Sequence, residues 1–562
     1  MLLALTSAFT LPAQDSNKGL NLEDIYKNGT YATRYYRSVR WMEDSRRYTT
    51  LEENRERGCS EIISYDVLSG ERTVLVGADQ LIPGEGDAPL SMRDYHWSAD
   101  NQKLLLFTNT RRVWRYHTRG DYWVLDLKKG SLQQLGISLP ASSLMFAKFS
   151  PDGSRAGYVS GHNIYVEDLE SQSITQLTQD GGDRFVNGTF DWVYEEEFSC
   201  RDGFRWSNDG ELIIYWNSDT KGTGTFYLIN NLDSIYSQPL PFPYPKVGTT
   251  NSAVKIGVVS ASGGDTRWFD IPGDPRNNYL VRMEVVPGAD QVIIQHLNRL
   301  QNTNRVWIAN LENLELENIL TERDEAFLDV HDDLVWLEGN RYFTWTSERD
   351  GWRHLYKVSL DGKEITQVTR GAFDVISLTC ISPQSGYVYY IASPENPTQR
   401  YLYRSSLDGK GIPERISPAG QRGQHRYVMS DDARWALHTF ENAKTPPVIS
   451  LVEVSSHRII RVMEDNQVIR EQYDALGLNL KVFFRVNIGE VELDAWMIKP
   501  PDFDPDKLYP LIFYVFGEPA GSTVQDNWGG GDLWHQYLAQ QGYVVISVDN
   551  RGTRAPRGKA WR

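Results

Sequence analysis

Residues 149–178, FSPDGSRAGYVSGHNIYVEDLESQSITQLT, decide how this sequence folds. An apolar start leads into a polar turn, Ser150-Pro151-Asp152-Gly153. A β-rich run follows, then a strand ending in Asp168-Leu169 and a second polar turn. Asp-Gly between apolar runs is a tight-turn signal for antiparallel strands. The same pattern recurs on both sides. Trp97-Ser98-Ala99-Asp100 opens a copy that runs to YWVLDLKKGSLQQL. Trp206-Ser207-Asn208-Asp209-Gly210 opens another, and Leu337-Glu338-Gly339-Asn340 a third that runs to LYKVSLDGKEITQVT. Weaker copies start near Trp41, Val286, Ser382 and Ser430. These make roughly eight units, most at the period of about 40–50 residues that propeller blades show.

A single four-stranded blade cannot bury both of its faces, so blades stack radially around an axis. The pattern therefore predicts an all-β, eight-bladed propeller over residues 22–464, with an array of β-sandwiches as the alternative. The unit that starts at Trp206 is the longest and contains PFPYPKVGTTNSAVK, residues 241–255. Its prolines disfavour a central strand and predict an arm projecting from the blade.

After about Asp465 the pattern changes. LKVFFRVNIGEVELDAWMIK predicts two antiparallel strands. The apolar runs 509–516 and 543–549 flank a predicted helix over 532–541. Continuous apolar strands separated by a helix point to an α/β sheet buried on both faces, beginning at residue 465.

Composition narrows the function. Net charge is −16 over 562 residues, which disfavours nucleic acid as a partner, because phosphate binding needs a basic footprint. It is compatible with a cationic ligand such as a peptide amine. The 17 Trp, 30 Tyr and 20 Phe suit pleated β surfaces. Cys59, Cys200 and Cys380 are odd in number and widely spaced, so they predict thiols rather than a disulfide framework or zinc site. His331-Asp332-Asp333 lacks a further ligand pattern, and Gly529-Gly530-Gly531 lacks the lysine of a phosphate loop. No cofactor or metal is expected. No run reaches the length of a membrane span. Residues 1–13, MLLALTSAFTLPA, are apolar and end in small residues, and they predict an export signal without its usual basic start.

Three stretches carry candidate chemistry. In Asp191-Trp192-Val193-Tyr194-Glu195-Glu196-Glu197-Phe198 three adjacent carboxylates are enclosed by aromatics. Such charges repel one another and resist desolvation unless a cation sits among them. An isolated glutamate run would otherwise read as a solvated face. Trp114-Arg115-Tyr116-His117 offers a guanidinium suited to carboxylates and carbonyls. Val515-Phe516-Gly517-Glu518-Pro519 follows the first α/β strand, where such folds place functional groups.

Together DWVYEEEF, VWRYHTRGDYWVLDL, PYPKVGTTNSAVK, SERDGWRHLY and VDNRGT resemble the dipeptidyl-peptidase IV branch of the prolyl oligopeptidase (S9) serine peptidase family. The likeness runs from about Leu22 to Arg562, in the family's order. It implies an eight-bladed propeller capping an α/β-hydrolase domain, with peptides entering the cavity between them. It implies that Glu196 and Glu197 bind the substrate's N-terminal amine and that Arg115 orients the substrate carbonyl and the glutamate pair. It implies a Ser-Asp-His triad after Arg562, since no G-x-S-x-G occurs in the sequence, and an inactive fragment without it. The implied activity is release of N-terminal dipeptides with Pro or Ala second, and the implied partner, besides the peptide, is a second copy of the chain joined through the arm. Where the family has an oxyanion-stabilising tyrosine, this sequence has Phe516. That departure raises the alternative of a peptide-binding propeller on a degenerate hydrolase. A related oligopeptidase or acylaminoacyl peptidase is a further alternative, which the glutamate pair disfavours.

Overall fold

In the computed structural model, residues 149–178 lie within a four-stranded antiparallel sheet made of Leu144–Phe149, Arg155–Ser160, Asn163–Asp168 and Ile174–Gln176. The structure describes residues 19–562 apart from 37, 38, 85, 518, 520, 530 and 531. The export signal predicted over residues 1–13 lies outside the described residues, as do Glu518, Gly530 and Gly531.

The turn motifs do not start the units. Each joins the first strand of a unit to its second. Their sequence explains why they recur. Ser150 Oγ donates to Asp152 Oδ1 at 2.6 Å and accepts from the Arg155 backbone N–H at 3.0 Å. The same pair of bonds is made by Ser98 with Asp100 and Lys103, by Ser207 with Asp209 and Leu212, and by Ser430 with Asp432 and Trp435. One hydroxyl thus closes the turn and satisfies the first donor of the next strand. The Ser150 hydroxyl and the Ser154 hydroxyl and amide hold Asp152 down to about 2. Ser150→Ala is expected to cost about 1 kcal/mol, the net worth of an intramolecular hydrogen bond. Urea denaturation measures the loss, and NMR titration should show Asp152 moving back toward the ordinary carboxylate range.

Among the described residues eight such units follow one another, over residues 40–76, 92–134, 144–176, 185–268, 278–323, 336–367, 375–415 and 424–464. The second and third share one sheet, because Arg119 and Gly120 pair with Met145 and Leu144. Between each unit and the next lies a buried apolar cluster. Tyr95 and Leu104 meet Ile62 and Val76 between the first two. Trp216 and Ile256 meet Val281 and Ile294 between the fourth and fifth. Another cluster packs Tyr48 and Val67 of the first unit against Trp435 and Leu451 of the last. The Trp41 indole N–H donates to the Val428 carbonyl across the same contact.

The fourth unit departs from the simple pattern. Phe185–Asn187 and Phe204–Trp206 both pair with Leu212–Asp219, so residues 188–203 are an excursion inserted into what would be one strand. Glycines pinch its base. The Gly188 N–H donates to the Trp216 carbonyl, while the Trp216 N–H donates to the Gly203 carbonyl, both at 3.0 Å. A Cβ on Gly203 would lie 2.6 Å from the Gly188 carbonyl carbon, too close for any side chain. The predicted arm is also present, with its strands earlier than expected: Thr225–Asn230 pairs with Gln238–Pro243 as an exposed hairpin. Pro239, Pro241 and Pro243 alternate, so all three turn their missing N–H to one side. Residues 253–255, assigned to the arm from sequence, instead begin Ala253–Ser260, which pairs along the whole of Leu212–Asp219.

Beyond helix Gln467–Ala475 the architecture changes to a mixed sheet. Val482–Asn487 and Glu492–Ile498 are antiparallel, and Val544–Val548 pairs parallel with Leu511–Phe513 after helix Asp532–Gln540. Among the described residues Leu511–Phe513 pairs with one strand, Val544–Val548, and Leu511 and Phe513 are 48% and 61% exposed rather than covered on both faces. Among the described residues no helix is long and apolar enough to cross a membrane.

Candidate functional site

The inserted excursion carries helix Trp192–Phe198. Asp191 caps it, accepting from the Tyr194 N–H at 3.1 Å. The second oxygen of Asp191 accepts from Ser252 Oγ at 2.6 Å, which ties the cap to the TTNSA stretch. Burial raises the Asp191 carboxyl despite these donors. The Tyr194 hydroxyl accepts from the Leu280 N–H at 3.0 Å, anchoring the helix on the fifth unit.

Arg115 arrives from a different element. Lys103–Val113 and Tyr116–Asp126 form a hairpin of 11-residue strands that closes through Trp114 and Arg115. Trp114 takes φ +50°, unusual for a bulky residue and suited to a two-residue hairpin turn. Its ring packs on Phe242 of the arm at 4.6 Å, while Trp192 packs on Tyr244 at 4.3 Å. The arm's base therefore braces both the arginine hairpin and the glutamate helix.

The two meet directly. Arg115 Nε donates to both oxygens of Glu196, at 2.9 and 2.7 Å. The Arg115 side chain is 71% exposed and that of Glu196 14%. Only Nε is used in this contact, so the terminal nitrogens of the guanidinium make no hydrogen bond to Glu196. Glu197 is exposed and lines a cavity of about 1510 Å³ together with Ser199, Arg282, Asp329, Pro519 and Arg551. Pro519 stands three residues past Phe516, so the turn after the first parallel strand borders the cavity that Glu197 faces. Phe516 is half exposed, and Gly517 turns the chain after it at φ +81°.

The cavity also joins the mixed sheet to the array. Arg554 pairs with Asp329 at 3.2 Å, Lys559 with Asp324 at 2.5 Å, and Arg562 with Asp374 at 3.2 Å and with Glu348. Asp549 of VDNRGT is used structurally, accepting from the Thr523 N–H at 2.8 Å.

Sequence reasoning placed Glu195 in the acidic run without a role of its own and missed Arg201. Glu195 is buried, and no hydrogen bond from the described residues reaches its Oε1. Burial pushes its carboxyl up to about 7, with Arg201 opposing and Glu196 adding. Arg201 Nε lies 3.8 Å from that oxygen, and the Arg201 guanidinium stacks on the Tyr116 ring at 3.7 Å. A helical reading would have found the glutamate, because residue 195 shares a face with Asp191 and Phe198 at i−4 and i+3.

The other sequence candidates are engaged structurally. His331 Nδ1 faces Arg353 Nη2 at 3.2 Å, Asp333 pairs with Arg353 at 3.0 Å, and Asp332 pairs with Arg282. Cys59 and Cys200 are buried, Cys380 is half-buried, and all three are thiols. Among the described residues no group of three His, Cys, Asp or Glu side chains is arranged to hold a metal ion.

These features define a class: an array of small antiparallel sheets that presents an arginine–glutamate pair beside a cavity shared with a mixed α/β sheet. Residues 98–447 match the family described as the dipeptidyl peptidase IV (DPP IV) N-terminal region. The chain belongs to that family, the dipeptidyl-peptidase IV-like branch of the S9 peptidases. It is 27% identical over 484 residues to the probable dipeptidyl-aminopeptidase B of Emericella nidulans, covering 81% of this chain and 53% of that protein. It is 25% identical to dipeptidyl peptidase 4 of Trichophyton rubrum, covering 96% of this chain and 70% of that one. The crystal structure of Porphyromonas gingivalis dipeptidyl peptidase 4 superposes with a TM-score of 0.88 at 29% identity, covering 97% of this chain and 76% of that one. The chain spans about half the length of the dipeptidyl-aminopeptidase B it matches.

Proposed function

We propose that this chain is the substrate-selecting part of a serine exopeptidase that releases dipeptides from free N-termini, with Pro or Ala second. The observation that carries the reading is the pairing of Arg115 with Glu196 beside Glu197 at the cavity. Arg115 balances one carboxylate, and the charge left over suits a protonated α-amine. The terminal nitrogens of Arg115 suit a substrate carbonyl. On this reading residues 22–464 are an eight-bladed propeller, supported by the run of apolar interfaces that returns to the first unit. Residues 465–562 open an α/β-hydrolase domain whose Ser-Asp-His triad follows Arg562. The protein is exported, and the exposed arm is a contact for a second copy.

Calorimetry with Gly-Pro amide and its N-acetylated form tests the reading. The free amine should bind and the acetylated form should not; equal affinities would sink it. A second reading, a peptide-binding propeller on a degenerate hydrolase, is favoured by Phe516 alone.

A further inference from the structure

Behind the Arg115–Glu196 pair lies a second arginine–carboxylate layer that the proposed function does not use. Glu195 and Arg201 bring a buried oxygen and a buried nitrogen to 3.8 Å, and neither atom has a hydrogen bond among the described residues. Complementary buried groups without a hydrogen bond are costly and need a reason to persist. Here the reason lies in what Arg201 touches. Its guanidinium lies flat on Tyr116, the residue next to Arg115 and the first of the returning hairpin strand. Glu195 is next to Glu196 on the helix. The rear pair thus reaches Glu196 through one peptide link from Glu195, and Arg115 through the stacking of Arg201 on the adjacent Tyr116.

We propose that Glu195 and Arg201 are positioning residues for amine recognition: the rear pair, acting through Tyr116 and the helix, sets the angle at which Arg115 and Glu196 meet the substrate. This rests on the proposed function. Charge on Glu195 holds the Arg201 guanidinium on Tyr116. Tyr116 is itself 46% exposed and has little other burial to fix it. Without that charge the hairpin tip is free to swing, and Arg115 no longer presents Glu196 in one geometry. The groups facing Glu195 are Arg201 and Glu196, with Arg115 beyond Glu196 and Tyr116 behind Arg201. Arginine keeps its proton in proteins, so within this cluster proton uptake near neutral pH falls to Glu195, whose carboxyl sits at about 7.

The test is calorimetric binding of Gly-Pro amide to the 562-residue chain and to three variants, Glu195→Gln, Arg201→Gln and the double variant. Each single variant should bind about tenfold more weakly at pH 7.5, the effect of about 1.4 kcal/mol. The double variant should be no weaker than the weaker single one, since both act through one contact. Wild-type affinity should fall as pH is lowered from 7.5 to 6, while Glu195→Gln should stay flat. Thermal unfolding at pH 8 separates positioning from a structural role. A carboxylate raised by burial costs stability when ionised, so Glu195→Gln should melt no lower than wild type. Single variants with wild-type affinity and pH profile, additive losses, or a lower melting temperature for Glu195→Gln would each overturn the proposal. If wild type shows no preference for the free amine, the proposed function falls with it; if wild type discriminates and the variants behave like it, only the positioning role falls.

Discussion

Glu196→Ala is expected to weaken binding of a dipeptide with a free amine by at least ~2 kcal/mol, about thirtyfold, because it removes a charge-assisted contact from a desolvated cation. The geometry adds a second term. Arg115 Nε gives both of its short contacts to Glu196. Once the carboxylate is gone, the guanidinium stays at the site and repels the amine it formerly helped to place. Stability should hardly move. The Arg115 side chain is 71% exposed, and exposed ion pairs contribute about 0–1 kcal/mol. The signature is therefore a large loss of affinity with an unchanged unfolding midpoint. Glu197→Ala should also lose binding, since it removes the helix's own carboxylate on the cavity. In a protein that carries the triad, kcat/KM on dipeptidyl substrates should fall by the same factor. Unchanged affinity and kcat/KM for Glu196→Ala would remove the amine-binding role.

Phe516→Tyr, in a protein with a complete triad, should raise kcat roughly tenfold to several hundredfold and change KM much less. A hydroxyl at this position would act on charge that develops in the transition state, and such donors appear in kcat. Phe516 follows the strand Leu511–Phe513 and is half exposed among the described residues. A hydroxyl that bonds the oxyanion is satisfied, whereas one left without a partner would cost stability. Steady-state kinetics on an Ala-Pro or Gly-Pro reporter decides. No rise in kcat with folding intact would mean that the missing hydroxyl does not limit the reaction.

The repeated turn was legible in the sequence because one residue pattern does one job in four of the units, at Ser98, Ser150, Ser207 and Ser430. Ser and Asp at a two-residue spacing mark a hydroxyl that serves two backbone and side-chain partners at once. Where a unit starts was not legible, because each first strand lies before the turn motif and carries no turn signal of its own. The helix was hidden for a related reason. It interrupts a strand, so Phe185–Asn187 and Phe204–Trp206 read as unrelated fragments until both are seen on Leu212–Asp219. The meeting of Arg115 with Glu196 came from family resemblance. Their separation of 81 residues leaves no local signal, and only the arm's contacts with Trp114 and Trp192 explain how the two elements come to rest on each other.

The packing of the first sheet against the last has a consequence for how the chain can be ordered. Trp41 and Val428 touch across 387 residues, and Asn466 holds both the N–H and the carbonyl of Arg34. A contact of such separation rewards the chain only after the intervening units have folded, so this seam is the last to zip and the first to fray. It also makes the two ends of the array neighbours. A short bridge from residue 464 to residue 40 would make the array endless, and a cut in any connection between units would then give a circular permutant with the same packing.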